Sequence, residues 1–165
     1  MDYRPNVDAA VWFVRNVLPL VRADRPSARF YIVGRNPSPE VASLAALPGV
    51  TVTGAVPDTR GWVAGATVYV VPMRMGGGVR LKVLQAMAMG CAIVSTPMGV
   101  EGIFLRPNKD AMLARTPIDF ALNILTLLHD PAQRAELGTS AHERALDRYT
   151  WDKLLPVLDE VYPAE

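Results

Sequence analysis

The run Gly76-Gly77-Gly78-Val79-Arg80-Leu81-Lys82-Val83-Leu84-Gln85-Ala86-Met87-Ala88-Met89-Gly90, continuing into Cys91-Ala92-Ile93-Val94-Ser95, decides the fold. It predicts a glycine loop, a helix from about Val79 to Met89 stopped by Gly90, and a buried strand over Cys91–Ser95. Just upstream, Thr67-Val68-Tyr69-Val70-Val71 is another β-rich run, ending at Pro72. A strand, a loop, a helix and a second strand thus follow in order.

The pattern extends in both directions. Val7, Ala10, Val11, Val14, Val17, Leu18 and Val21 recur at helical spacing and predict a first helix from about Val7 to Arg22, with Asn6 as its cap and a bend at Pro19. Strands are expected over Arg29–Val33 and Val50–Thr53, with a short helix from Pro39 to Leu47 capped by Ser38 and another from Pro57 through Val63 capped by Asp58. A last strand is expected at Ala111–Ala114, then helices over Pro117–Leu128, Pro131–Arg148 and Trp151–Tyr162. Strands that are apolar throughout and alternate with helices indicate parallel pairing covered on both faces. The fold class is therefore α/β, a Rossmann-like doubly wound parallel sheet with a helical C-terminal segment.

Composition bounds the function. The chain has 165 residues, 50% hydrophobic and 20% charged, which suits one globular domain. A formal net charge of +1 gives no overall attraction for nucleic acid or an anionic membrane, so a basic site must be local. The single cysteine, Cys91, forms no internal disulfide and fits a cytoplasmic location. The opening residues lack the layout of a signal peptide, and no apolar run approaches the roughly 20 residues that span a bilayer. Met1 to Asn6 has the character of a loop entering a helix, which predicts a fragment of a longer protein.

In an open parallel sheet, ligands bind outside the carboxyl ends of the strands. The four loops expected there carry Gly34-Arg35-Asn36-Pro37, Gly54 to Asp58, Pro72 to Lys82, and Thr96 to Gly102. In the third loop, glycines let the backbone approach a ligand, and the helix N-terminus offers free N–H groups. Arg80 and Lys82 stand in the first turn, where the helix dipole disfavours cations, an arrangement that makes sense around an anion. The same residues also describe a flexible loop with two solvated cations, and spacing alone does not separate the two.

The run from Gly76 to Gly90, with Ala92-Ile93-Val94-Ser95-Thr96 after it, resembles the signature of family 4 retaining glycosyltransferases, the glycosyl transferases group 1. It is most similar to the branch reading glycine-glycine-x-x-Arg-Leu-Lys-x-Leu-Glu-Ala-Met-Ala-x-Gly, with Gly-x-Glu-Gly after it, here Gly99-Val100-Glu101-Gly102. Pro5-Asn6, Val33 to Pro37 and Tyr149-Thr150-Trp151 also fit, so the likeness covers nearly the whole chain. It implies the C-terminal, donor-binding half of a GT-B fold, a single domain over residues 1–165 without its N-terminal acceptor domain.

The resemblance also implies roles. Gly76, Gly77, Gly78, Val79, Arg35, Asn36 and Arg4 would lie along the donor diphosphate, and Arg80 and Lys82 would stabilise the leaving group. Val56 would meet the base, Gln85 the ribose, and Gly99 and Glu101 the donor sugar. The donor would be a UDP- or GDP-sugar, the acceptor a saccharide or glycolipid, with no cofactor, metal or nucleic acid. Membrane association, at the inner face, would depend on the other half. Two positions depart from the family: Gly77 stands where an acid is common, and Gln85 replaces a glutamate. An amide accepts through one oxygen where a carboxylate accepts through two, so donor affinity, donor choice or activity itself is affected.

Other residues carry blander expectations. His129 and His142 are surface or packing residues, Cys91 is a small core residue, and Met73, Met75, Met87, Met89 and Met98 are adaptable filler. Asp58 and Asp130 are caps, and Glu101 either touches the sugar or ends a loop. Two other functions share the architecture. One is half of a nucleotide-sugar epimerase, for which the loops supply few acids; the other is a degenerate, non-catalytic domain that binds nucleotide or a partner.

Overall fold

Every strand pairing is parallel, as apolar strands joined through helices require. The computed structural model describes residues 1–156. The chain opens with helix α1 (Arg4–Trp12), a single wide π-helical turn (Phe13–Val17) and α2 (Leu18–Asp24). Strand β1 (Phe30–Val33), helix α3 (Pro39–Ser43) with a 3₁₀ turn (Leu44–Ala46), β2 (Val50–Gly54) and α4 (Arg60–Ala64) follow. Then come β3 (Tyr69–Val71), α5 (Leu81–Ala88), β4 (Ile93–Ser95), a 3₁₀ turn (Pro97–Val100) and β5 (Met112–Leu113). Helices α6 (Pro117–His129), α7 (Pro131–Arg148) and α8 (Trp151–Leu154) end the described chain.

The strands lie in the order β2-β1 in one sheet and β3-β4-β5 in another. Helices cover both faces. On one face, the π-helical turn, α3 with its 3₁₀ turn, and α6 bury Val14, Val17, Val41, Leu44, Phe120 and Leu127 against Ile32, Val50 and Val94. Phe13 stands between Phe30 and Phe120, with ring centroids 4.4 and 5.8 Å away. On the other face, α5 and α7 bury Val83, Ala86, Met87 and Ala141 against Val71 and Ile93. A large apolar side chain contributes about 1.5–3 kcal/mol when fully buried. Along β4, Val94 and Ile93 take opposite faces, which is the doubly wound arrangement in miniature.

Several boundaries differ from expectation, each for a local reason. The first helix starts at Arg4, with Pro5 in its first turn; Asn6 lies inside it and caps nothing. Its irregularity falls just ahead of Pro19: Leu18 donates to Phe13 O, five residues back, and this wide turn makes room for a residue that lacks an N–H. Ser38 Oγ accepts from Val41 N at 3.3 Å and Asp130 Oδ1 from Gln133 N at 2.9 Å, both as helix caps. Asp58 sits one residue outside the cap of α4, accepting from Arg60 N and pairing with its guanidinium. The helix after the glycines begins at Leu81, not Val79, because Arg80 holds an extended conformation. Of the helix expected over Trp151–Tyr162, the part beyond residue 156 lies outside the described residues.

Candidate functional site

Gly76 and Gly78 have φ of +95° and +84°, values that side chains with a Cβ rarely adopt, so glycine is required at both. Arg80 explains how the loop holds its shape. Its Nη2 donates to Gly76 O at 2.9 Å and its Nη1 to Gly77 O at 3.1 Å and Gly78 O at 3.4 Å. A peptide unit is planar and trans, so carbonyls drawn toward Arg80 turn the N–H groups of Gly77, Gly78 and Val79 the opposite way. None of these N–H groups has a protein partner among the described residues. Successive free amides on one side of a loop form a concave anion site.

Lys82 supplies the charge beside it. Its Nζ lies 3.0 Å from Asn6 Oδ1 and 3.7 Å from Met73 Sδ, with no carboxylate in salt-bridge range among the described residues. The residue as a whole is open to solvent, so a ligand can reach it, while its ammonium end is part-buried against Met73. Desolvation of that end lowers its pKa, and the charge of Arg80 lowers it further. The contact with Asn6 brings the first turn of α1 against the first turn of α5, so two helix N-termini converge here. Arg74, in the same loop, is different. It is paired with Asp8 through Nη2–Oδ1 at 2.5 Å and lies over the Trp12 ring at 5.5 Å. Arg74 is already neutralised; Lys82 is not.

The remaining expected site residues occupy the same carboxyl edge to different degrees. Arg35 and Asn36 are exposed after β1, Asn36 with φ of 51°, and the Arg35 carbonyl accepts from the Met1 amine. Arg4 lies at the rim of a shallow cavity of about 230 Å³ that also holds Asp8, Glu40 and Arg74. Gln85 is exposed on α5, one turn from Lys82, and its side chain has no partner among the described residues. Val56 is half-buried in the loop after β2.

Comparison with known proteins decides the family. Residues 1–130 match the model of the glycosyl transferases group 1. The chain belongs to that family. It is 22% identical over 157 residues to an uncharacterized 44.6 kDa protein in the cps region of Klebsiella pneumoniae, covering 90% of this chain and 40% of that protein. TarM superposes with a TM-score of 0.84 at 19% identity, over 99% of this chain and 34% of its own. A point mutant of S. aureus TarM, solved with fondaparinux, alpha-GlcNAc-glycerol and UDP, gives 0.77 at 18% identity over 96% of this chain and 32% of its own. The C-terminal domain of the group 1 family protein LpcC of Francisella tularensis gives 0.71 at 15% identity, over 90% of this chain and 82% of that domain. The fold is that of the Rossmann-like C-terminal half of a GT-B protein, and the chain spans 40% of the Klebsiella protein's length and 34% of TarM's.

In this group 1 family chain, the loop after β4 leans on the glycine loop. A Cβ on Gly102 would lie 3.1 Å from Val79 Cγ2, so exposed Glu101 stands next to the glycine loop. Gly99 is explained by packing: a Cβ there would lie 2.3 Å from Ser95 Oγ and 2.7 Å from Val71 O. The Gly99 N–H is already committed to Thr96 Oγ1 at 3.0 Å. Tyr149 accepts from Phe104 N at 2.6 Å and ties the end of α7 to the same loop.

One cluster escaped the sequence. Asp110 is fully buried and bonds to Arg106, Ser140 Oγ and Arg144 Nε. Burial pushes its pKa up, but the bonds from Arg106, Ser140 and Arg144 outweigh burial and hold the carboxyl well below its usual range. The only signal was the spacing of Arg106 and Asp110; the α7 partners are about thirty residues away in the chain. His129 pairs with Asp24, and His142 Nδ1 lies 2.7 Å from Ala88 O, so both serve helix packing. Cys91 is buried, donates to Val63 O, and has its thiol pKa raised by burial. Among the described residues, no three His, Cys, Asp or Glu cluster as metal ligands, and no helix is long and apolar enough to cross a membrane.

Proposed function

We propose that this chain is the donor-binding domain of a family 4 retaining glycosyltransferase and holds the diphosphate of a UDP- or GDP-sugar. The observation that carries this is Lys82, a partly desolvated ammonium with no carboxylate partner among the described residues, set beside a loop whose free amides share one side. A neutral ligand has no use for that charge; a diphosphate has.

The chemistry follows from where charge develops. As the sugar–phosphate bond breaks, the sugar becomes oxocarbenium-like and the electron pair stays on the diphosphate. Lys82 and the loop amides stabilise that leaving group, and in this reading the positive charge comes from protein groups without a bound metal. Arg80 acts here as a positioning residue that holds the loop carbonyls away from the phosphates. Gln85, one turn along α5, meets the ribose through a single accepting oxygen, Val56 meets the base, and Glu101 borders the sugar.

The acceptor, a saccharide or glycolipid, binds between this domain and an N-terminal domain in the cytoplasm or at the inner membrane face. Exposed Val79, Leu81 and Phe104 around the site provide an apolar rim for that second domain. UDP bound to the S. aureus TarM mutant, and the cps-region location of the Klebsiella relative, fit a transferase of surface polysaccharide assembly.

The test is a binding series with uridine, UMP, UDP and UDP-sugars, and its guanosine counterpart. Affinity is expected to rise by at least about 10-fold from nucleoside to diphosphate. Equal affinity for nucleoside and diphosphate would remove the diphosphate site and leave a base-binding or partner-binding domain.

A further inference from the structure

The sequence holds three lysines, Lys82, Lys109 and Lys153, and they differ in what surrounds the amine. Lys109 lies in the exposed turn before β5, and Lys153 is exposed on α8. Among the described residues, only Lys82 has its Nζ held by side chains, Asn6 Oδ1 at 3.0 Å and Met73 Sδ at 3.7 Å. Both partners accept, and neither carries a charge. An ammonium has three N–H donors. With two of them aimed at Asn6 and Met73, the third direction is unclaimed among the described residues. When that third proton leaves, the lone pair takes its place, and the two holding contacts stay as they are.

Two influences favour loss of that proton. Desolvation lowers the Lys82 pKa, and the charge of Arg80 lowers it further. A lysine desolvated beside another cation is an activated amine nucleophile. The residue as a whole is exposed, so a reagent can reach it. What lies next to the amine selects the reagent. A Cβ on Gly76 would lie 3.4 Å from Pro5 Cγ, so the glycine loop packs on the same turn of α1 whose Asn6 holds Lys82. On that loop the N–H groups of Gly77, Gly78 and Val79 have no protein partner among the described residues, and a phosphate accepts from such amides. An acyl phosphate carries both halves of the match, a phosphate and an activated carbonyl on one bridging oxygen.

We propose that Lys82 is an acylation site for acyl phosphates, with the phosphate on the loop amides and the acyl carbonyl facing Nζ. This rests on the diphosphate site proposed above, because the same amides serve both ligands. In the step, the Nζ lone pair attacks the carbonyl carbon and forms a C–N bond. The bond from that carbon to the bridging oxygen breaks, and phosphate leaves with the electron pair. The proton that the nitrogen sheds goes to the departing phosphate, so amine and acyl phosphate become amide and hydrogen phosphate. The amide is neutral, and the site loses its unpaired charge. Acylation thus sets donor binding inversely to the supply of activated acyl groups. Arg74 and Arg80 offer no equivalent, since a guanidinium does not give up its proton.

The test incubates the 165-residue chain with acetyl phosphate and follows each lysine by peptide mass spectrometry. Lys82 is expected to acetylate at least about 10-fold faster than Lys109 and Lys153, because its reagent is held in place. Excess inorganic phosphate is expected to slow Lys82 alone. The N-hydroxysuccinimide ester of acetic acid, which carries no phosphate, is expected to show a smaller preference for Lys82. Treated chain is expected to bind UDP or GDP at least about 10-fold more weakly, while the affinity of Lys82→Arg is unchanged by the same treatment. Acetylation of Lys82 no faster than of the other two lysines, or at a rate that ignores added phosphate, overturns the proposal. Either result alongside nucleotide binding that depends on Lys82 removes the acylation and leaves the donor site standing. Phosphate-sensitive acetylation of a chain that binds no nucleotide does the reverse.

Discussion

Lys82 and Arg74 flank one loop and differ in what faces them: Arg74 has Asp8, while Lys82 has an amide oxygen and a thioether. Replacing Lys82 by Met therefore separates binding from stability. Nucleotide affinity is expected to fall about 10- to 100-fold by titration, while the melting temperature stays level or rises, because a partly desolvated cation has been removed. The sign with pH follows. A lysine whose folded pKa is lowered binds fewer protons folded than unfolded, so its contribution to stability grows as pH rises toward the unfolded value near 10.5. Denaturation of Lys82→Met at alkaline pH should lack that rise. Gln85→Glu tests the ribose assignment: a second accepting oxygen is expected to tighten donor binding several-fold, and no change would move Gln85 out of the site. The glycines and cations of this site were legible because their chemistry is local and consecutive. The neutralisation of Arg74 by Asp8, 66 residues away, and the turn of Arg80 onto its own loop were not, since both depend on how the chain folds back.

At the scale of elements, what the site needs is rigid placement of its loops. Asp110 locks the segment before β5 to α7 through two arginines and a serine, its carboxyl wholly inside the protein. Asp110→Asn leaves exposed Arg106 without its counter-charge and Arg144 with Asp147 alone, and is expected to destabilise by about 1–3 kcal/mol in chemical denaturation. Because the folded pKa of Asp110 is depressed, its contribution is complete above the unfolded value of about 3.9 and disappears as pH falls below it. Wild type should therefore lose stability steeply in that acid range, and Asp110→Asn less so. Gly99→Ala forces a Cβ against Ser95 Oγ and Val71 O and is expected to lower stability by about 1–3 kcal/mol. Each helix and strand that the apolar pattern predicted exists among the described residues, but most are shorter than the pattern. The runs continue through Thr67, Val68, Cys91 and Ala92, which lie outside the paired strands, because periodicity marks burial and not pairing. The wide turn ahead of Pro19 and the start of α5 at Leu81 are backbone decisions that no spacing records.

At the scale of the whole molecule, two half-sheets share a carboxyl edge on which α1, α5 and the glycine loop meet. The doubly wound class was legible from alternation alone, while the division of the sheet was not, because strand order depends on pairings between distant segments. The central claim is that this edge binds a nucleotide diphosphate through Lys82 and the loop amides. Calorimetric titration of UDP and GDP tests it, using the 165-residue chain and its Lys82→Met variant. Exposed Lys109, which precedes the amino end of β5, supplies a control as Lys109→Met. At least one diphosphate is predicted to bind, more weakly as salt rises, at least about 10-fold more weakly in Lys82→Met, and unchanged in Lys109→Met. Binding that ignores the Lys82 substitution, or no binding by the folded 165-residue chain, would contradict the claim.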